Sequence, residues 1–322
     1  GIANARIMET ETHPVVYGDW LNAGDRSPTV LIYGHFDVQP ADPLELWDNP
    51  PFEPVIKDEK IYGRGATDDK GNMLASILAV EALLKSGAKL PVNIKLFFEG
   101  QEEIGSPTLA PFVKANAELL KADMIVSADG SQYGEDQPSL IRGLKGLMGC
   151  EICVTGAKGD QHSGMHGGGI ANPVHALSHL IASMKDLEGK INIEGFYDDV
   201  EELKVADRKA IAEIPFDDGE YAKGLGVPEP FGEVGYTTAE RLAARPTLEL
   251  NGMWGGYQGK GIKTVLPSKA YAKITCRLVA NQKPDKIYQL IKNHVEINTP
   301  PGVKIDINPL PAKADPFLVP RG

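Results

Sequence analysis

The chain has 322 residues, 42% of them hydrophobic and 24% charged, an ordinary globular composition with enough length for two domains that each bury a core. A formal net charge of -11 and a pI near 5.2 argue against nucleic acid or an anionic membrane as partner. No run reaches the about 18 apolar residues of a membrane-spanning helix, and Cys150, Cys153 and Cys276 are too few and too scattered for a disulfide framework.

Residues 29–33 are a short apolar run ending at a glycine, which predicts a buried strand. Residues 40–54 are rich in Pro, Asp and Trp and predict a loop. Residues 71–85 carry Met73, Leu74, Ile77, Leu78, Val80 and Leu84 at helical spacing. Residues 92–98 alternate as a strand does, 108–121 read as a helix, and 124–126 as a second buried strand. Strands alternating with helices argue for an α/β sheet.

Beyond Arg142 the rhythm changes. Residues 144–155 predict a strand, and Asn172-Pro173 opens a helix. Residues 190–245 form a polar, acidic region. Strands at 247–250 and 270–279, a helix at 284–295 and a strand at 303–307 follow. The order strand, helix, two strands, helix, strand suggests an α+β sandwich of the split-βαβ kind. The expected organisation is 1–142 as a metal-binding catalytic domain, 143–310 as a second domain, and 311–322 as the start of a return segment or a cloning remnant. Gly1 is not a native start, and no signal peptide is visible. Leu318-Val319-Pro320-Arg321-Gly322 looks like a thrombin cleavage sequence, with a native coincidence as the equal alternative.

Four polar motifs punctuate the first part: Gly34-His35-Phe36-Asp37-Val38, Gly65-Ala66-Thr67-Asp68-Asp69-Lys70-Gly71, Gly100-Gln101-Glu102-Glu103-Ile104-Gly105 and Ser127-Ala128-Asp129-Gly130. Together they bring one imidazole and six carboxylates to loops. His35, Glu103 and Asp129 each follow a predicted strand, and ligands bind at that rim of open α/β sheets. Asp68 falls in a glycine-flanked turn before a helix, where backbone N–H groups can orient a carboxylate. A His/Asp/Glu set suits zinc, with manganese or cobalt also compatible. Adjacent Glu102 and Glu103 diverge, so one can ligate while the other moves a proton. Asp37 can orient the His35 imidazole from behind. Taken singly, each motif also fits a solvated polar loop or a helix cap.

Other signals lead nowhere. Cys150 and Cys153 sit three apart on a strand and face opposite sides. His175 and His179 are four apart on a helix but lack the Glu of a zincin, and read as a solvated helix face. The glycine-rich run 255–261 lacks P-loop spacing.

The segment Tyr33-Gly34-His35-Phe36-Asp37-Val38-Gln39-Pro40-Ala41, with Trp47-Asp48, Pro51-Phe52 and the stretch from Ile61 to Gly71, resembles the M20 family of di-metal exopeptidases. The likeness is to the branch of cytosolic non-specific and carnosine-type dipeptidases, and it covers nearly the whole chain. It implies a phosphorylase/hydrolase-like mixed-sheet catalytic domain, incomplete here, with an inserted α+β ferredoxin-like lid that also makes a homodimer. His35 and Asp129 resemble ligands of one metal, Asp68 the carboxylate bridging both, and Glu103 a ligand of the other. Glu102 matches the general base that acts on a metal-bridged water, and Asp37 the carboxylate behind the ligands. The family's peptide between the residues at Asp68 and Asp69 is usually cis.

In the second domain, Gly159-Asp160-Gln161-His162-Ser163-Gly164 matches the motif whose His reaches the partner subunit's active site and steadies the oxyanion, which makes His162 a catalytic and substrate-binding candidate. Thr264 and Arg277 match segments that grip the substrate, with Arg277 pairing its terminal carboxylate. The resemblance also implies one more ligating His in a C-terminal segment beyond Gly322. The expected activity is hydrolysis of dipeptides or short peptides in the cytoplasm. An N-acyl-amino-acid deacylase, or a metal- or peptide-binding protein without catalysis, are the competing readings.

Overall fold

A computed structural model describes residues 1–87, 89–130, 134, 137, 139 and 141–319, so Pro320, Arg321 and Gly322 of the thrombin-like sequence lie outside the described residues. The chain divides into two compact units, Gly1–Ser139 and Leu140–Gly322. The mixed α/β class expected from the sequence is what is found.

The first unit contains strands β1 (Ala3–Met8), β2 (Val15–Trp20) and β3 (Thr29–His35), a hairpin of β4 (Val55–Lys57) and β5 (Lys60–Tyr62), helix α1 (Lys70–Lys85), β6 (Asn93–Glu99), helices α2 (Leu109–Ala115) and α3 (Ala117–Leu120), and β7 (Met124–Ser127). The main sheet has the order β1-β2-β6-β3-β7. β1, β2 and β6 pair antiparallel, whereas β6, β3 and β7 pair parallel. The carboxyl ends of three neighbouring parallel strands therefore open on one rim, where ligand sites form.

Both faces of this sheet are covered. Ile32, Ile94, Leu96 and Phe98 pack with Val80 of α1 on one side, and Leu31 and Phe97 pack with Phe112 of α2 and Leu120 of α3 on the other. That changes the expected character of residues 92–98. The alternation is real, but every residue of β6 is buried, as expected of a central strand with two covered faces. Lys95 is buried with it, and its Nζ donates to the carbonyls of Leu119 and Lys121, each at 2.6 Å. Those carbonyls lie at the end of α3, where a cation suits the orphan acceptors. The predicted helix at 108–121 is split at Asn116 into α2 and α3. The predicted buried strand at 124–126 is instead an exposed edge, with Met124 60% and Ile125 70% accessible.

The second unit contains β8 (Gly143–Leu144), β9 (Gly146–Thr155), β10 (Gln161–His162), α4 (Ser163–His166), α5 (Pro173–Met184), α6 (Val205–Ala212), α7 (Asp218–Leu225), α8 (Thr238–Ala244), β11 (Thr247–Gly255), β12 (Val265–Leu266), β13 (Lys269–Leu278), α9 (Pro284–Ile297), β14 (Lys304–Ala314) and β15 (Phe317–Leu318). β11, β13, β9 and β14 form an antiparallel sheet in that order. With α5 between β9 and β11 and α9 between β13 and β14, this is the ferredoxin-like βαββαβ order. Ile152, Ile274, Cys276 and Leu278 face Leu177 of α5 and Ile291 of α9 in one core. Asn172 caps α5 by accepting from the Val174 N–H, with Pro173 in the first turn.

The polar, acidic stretch 190–245 holds α6, α7 and α8. β14 continues past residue 310 to Ala314, with its register to β9 shifting between Pro309 and Lys313 before Lys313 pairs with Met148. Among the described residues no helix is long and apolar enough to cross a membrane.

Candidate metal centre

His35 ends β3 and is fully buried. Its ring is enclosed by carboxylates. Nε2 stands 3.0 Å from Oδ1 of Asp68, 3.8 Å from Oδ2 of Asp129 and 4.0 Å from Oε2 of Glu102. Nδ1 lies 3.3 Å from Oδ1 of Asp37, without the alignment of a hydrogen bond. Ligand atoms of His35, Asp68 and Asp129 all fall within 4.8 Å of one another.

The loops that carry these groups are tied by specific contacts. Asp37 accepts from the N–H of Glu102 at 3.2 Å and of Glu103 at 3.0 Å, which anchors the short 3-10 turn Glu102–Ile104. Asp37 thus sits behind both the imidazole and the Glu doublet. Asp68 and Asp69 are joined by a cis peptide. The backbone N–H contact expected for Asp68 belongs to its neighbour: Oδ2 of buried Asp69 accepts from His35 N–H at 3.2 Å, while the Asp68 side chain remains 63% exposed with His35 as its partner. A Cβ on Gly71 would lie 2.1 Å from the Ala66 carbonyl, so only glycine lets α1 start this close to the turn.

Glu103 stands apart from the His35 cluster. Its Oε2 accepts from Nε2 of Gln39 at 2.7 Å, and the same amide reaches its carbonyl at 3.2 Å. Beside it lies a cavity of about 380 Å³, lined by His13, Phe36, Gln39 and Ile104 among others.

The electrostatics suit a cation. Burial pushes the Glu102 carboxyl up; His35 opposes this, while Asp129, Glu103 and Asp37 add to it. For His35, burial pulls the pKa down, but Glu102, Asp37, Asp69 and Asp129 outweigh it and the net direction is up. Asp69 is also raised, first by burial. Several anions crowded at one buried imidazole form a hard N/O donor set that a divalent ion would both neutralise and bridge. The residues present therefore fit a metal.

In the second unit, β10 pairs with β12, placing His162 opposite Val265. Nδ1 of His162 accepts from Gly164 N–H at 3.1 Å, so the neutral ring carries its proton on Nε2, 3.3 Å from Oγ1 of Thr264. Oδ1 of Asp160 accepts from both N–H and Oγ of Ser268, closing the loop behind. Arg277 is exposed on β13, opposite Thr247. His175 and His179 lie on the exposed face of α5, as expected.

The chain matches the peptidase family M20/M25/M40 over residues 31–310. It belongs to that family. It is 35% identical over 285 residues to a Cys-Gly metallodipeptidase of Schizosaccharomyces pombe, covering 88% of this chain and 60% of that protein. It is 32% identical over 287 residues to the Beta-Ala-His dipeptidase of Rattus norvegicus, covering 88% of this chain and 58% of that protein. The structure superimposes on an M20 family metallo-carboxypeptidase of Sulfolobus solfataricus with a TM-score of 0.79 and 37% identity, covering 96% of this chain and 70% of that one. The chain thus spans about 60% of the length of the curated relatives it matches.

Gln39, Asp69 and Asn72 were missed as site residues by sequence reasoning. All three lie within or next to the polar motifs, and that proximity was the available signal.

Proposed function

We propose that this chain carries the metal-binding and lid portions of a dipeptidase that hydrolyses the peptide bond of dipeptides or short peptides. The observation that carries the reading is the approach of Asp68, Asp129 and Glu102 to one buried nitrogen of His35. The names of the relatives, a Cys-Gly metallodipeptidase and a Beta-Ala-His dipeptidase, support the substrate class.

His35 and Asp129 would hold one divalent ion, Glu103 would hold a second, and Asp68 would be shared between them. Zinc suits this donor set, and manganese or cobalt would also fit. When bound, the ions supply Lewis acidity and a lowered pKa for water. Glu102 is the general base. Its carboxyl, raised by burial, takes a proton from the attacking water and delivers it to the leaving amine. Asp37 holds the peptide groups of Glu102 and Glu103 and backs the His35 ring. His162 donates from Nε2 to the oxyanion of the partner subunit's substrate in a homodimer built through the second unit. Thr264 holds the substrate nearby, and Arg277 pairs with its terminal carboxylate. Three free cysteines, two of them buried, suit a reducing cytoplasm.

The test is Glu102→Gln in the full-length protein, assayed on alanyl-alanine and on N-acetylalanine. Turnover of the dipeptide should fall by about 10²–10⁴-fold with metal content unchanged. Dipeptide turnover equal to wild type would overturn the role of Glu102. Preference of the wild type for the N-acyl substrate would overturn the substrate class.

A further inference from the structure

The amide of Asn72, in the first turn of α1, donates from one atom to two loops. Nδ2 lies 3.0 Å from the carbonyl of Thr67 and 3.0 Å from the carbonyl of Gly130. Thr67 immediately precedes Asp68, and Gly130 immediately follows Asp129. The amide orientation is fixed by chemistry, because both partners are acceptors and only the NH₂ end can serve them. A side chain bridging two carbonyls from one atom needs two hydrogens there. Among neutral side chains, only Asn and Gln offer that.

Asp68 and Asp129 approach the same nitrogen of the imidazole, and both carboxylates are partly solvent-exposed, at 63% and 37%. Two partly solvated anions repel, and the side-chain contact they share is the His35 ring, at 3.0 Å from Asp68 and 3.8 Å from Asp129. The Asn72 bridge acts on the backbone behind each of them instead. We propose that Asn72 is a positioning residue that sets the spacing of Asp68 and Asp129, and through it the affinity of the pocket for a divalent cation. This rests on reading the His35 cluster as a metal site.

The experiment uses full-length protein stripped of metal and titrated with Zn²⁺ alone and with Mn²⁺ alone against a chromogenic chelator. Asn72→Ala removes both carbonyl bonds together with the amide's interaction with the Asp69 carboxylate, and Asn72→Ser can keep one carbonyl bond. Both are uncharged, so neither alters the local field on the cation. The alanine variant should bind the first ion about 10–100-fold more weakly, the range typical of groups that orient metal ligands. The serine variant should fall between it and the wild type. The melting temperature of the metal-free protein should stay close to wild type, a split that a merely structural residue would not produce. Wild-type affinity in Asn72→Ala overturns the role of Asn72 and leaves the metal site standing. Should Asn72→Ala fail to fold, wild-type affinity in Asn72→Ser does the same. Failure of the wild type itself to bind either ion overturns the metal site and this inference together.

Discussion

Nε2 of His35 and Oδ1 of Asp68 stand 3.0 Å apart, although the ring is fully buried and the carboxylate is 63% exposed. The pair joins the sealed end of a parallel strand to the solvent side of the rim. An ion entering from water would meet Asp68 first and the imidazole last. To ligate, the imidazole must give up its proton. The surrounding carboxylates favour the protonated ring despite the opposing effect of burial. Because the net shift of the ring is upward, metal affinity should weaken as pH falls, with the loss beginning above the ordinary His range, and protons should be released on binding. Calorimetric titration in buffers of different ionisation enthalpy measures both. His35→Ala should abolish first-ion binding and the thermal stabilisation that metal confers, which at 100 times Kd is about 2.7 kcal/mol.

Asp37 should be intolerant of truncation. Asp37→Ala leaves two backbone donors without their acceptor, at a cost of about 1–3 kcal/mol for an unsatisfied group. It should also lower kcat through disorder at Glu102. Asp37→Asn retains one acceptor oxygen and should lie between. Urea unfolding and steady-state kinetics on the same preparations check the two effects.

Gln39 should matter to one ion more than the other. Its amide aims Oε2 of Glu103. Gln39→Leu should weaken the second ion about 10–100-fold and leave the first nearly unchanged. Stepwise metal titration resolves the two events.

His162 can be tested without touching metal ligands. Its Nδ1 accepts from Gly164 N–H, which assigns the proton to Nε2. Nitrogen-15 NMR of the ring should report that tautomer at neutral pH. His162→Ala should lower kcat by about 10²–10³-fold, the scale of a lost oxyanion donor, with metal content intact.

The α/β alternation, the ferredoxin-like order and the polar motifs could be read directly, because strand periodicity and ligand chemistry are local properties. What escaped was set by tertiary context. Burial of 124–126 was inferred from its apolar residues alone, but Met124 and Ile125 lie on an edge strand. Helices α6 to α8 hide within acidic sequence because their apolar faces are thin; α6 buries no residue at all. Thr237 and Glu240 form a capping box over the first turn of α8. At the site, the carboxylates were legible because their chemistry is distinctive. Gln39 and Asn72 were not, because an amide reveals its role only once the carbonyls it serves are located in space.

Asp37 grips the main chain of Glu102 and Glu103, not their side chains. A carboxylate that binds peptide groups is indifferent to what those residues display. The scaffold and the reagents it carries are thus separable. Either Glu could be exchanged for another side chain without unseating the turn, and the same frame could be refitted for different chemistry while its mounting stayed untouched.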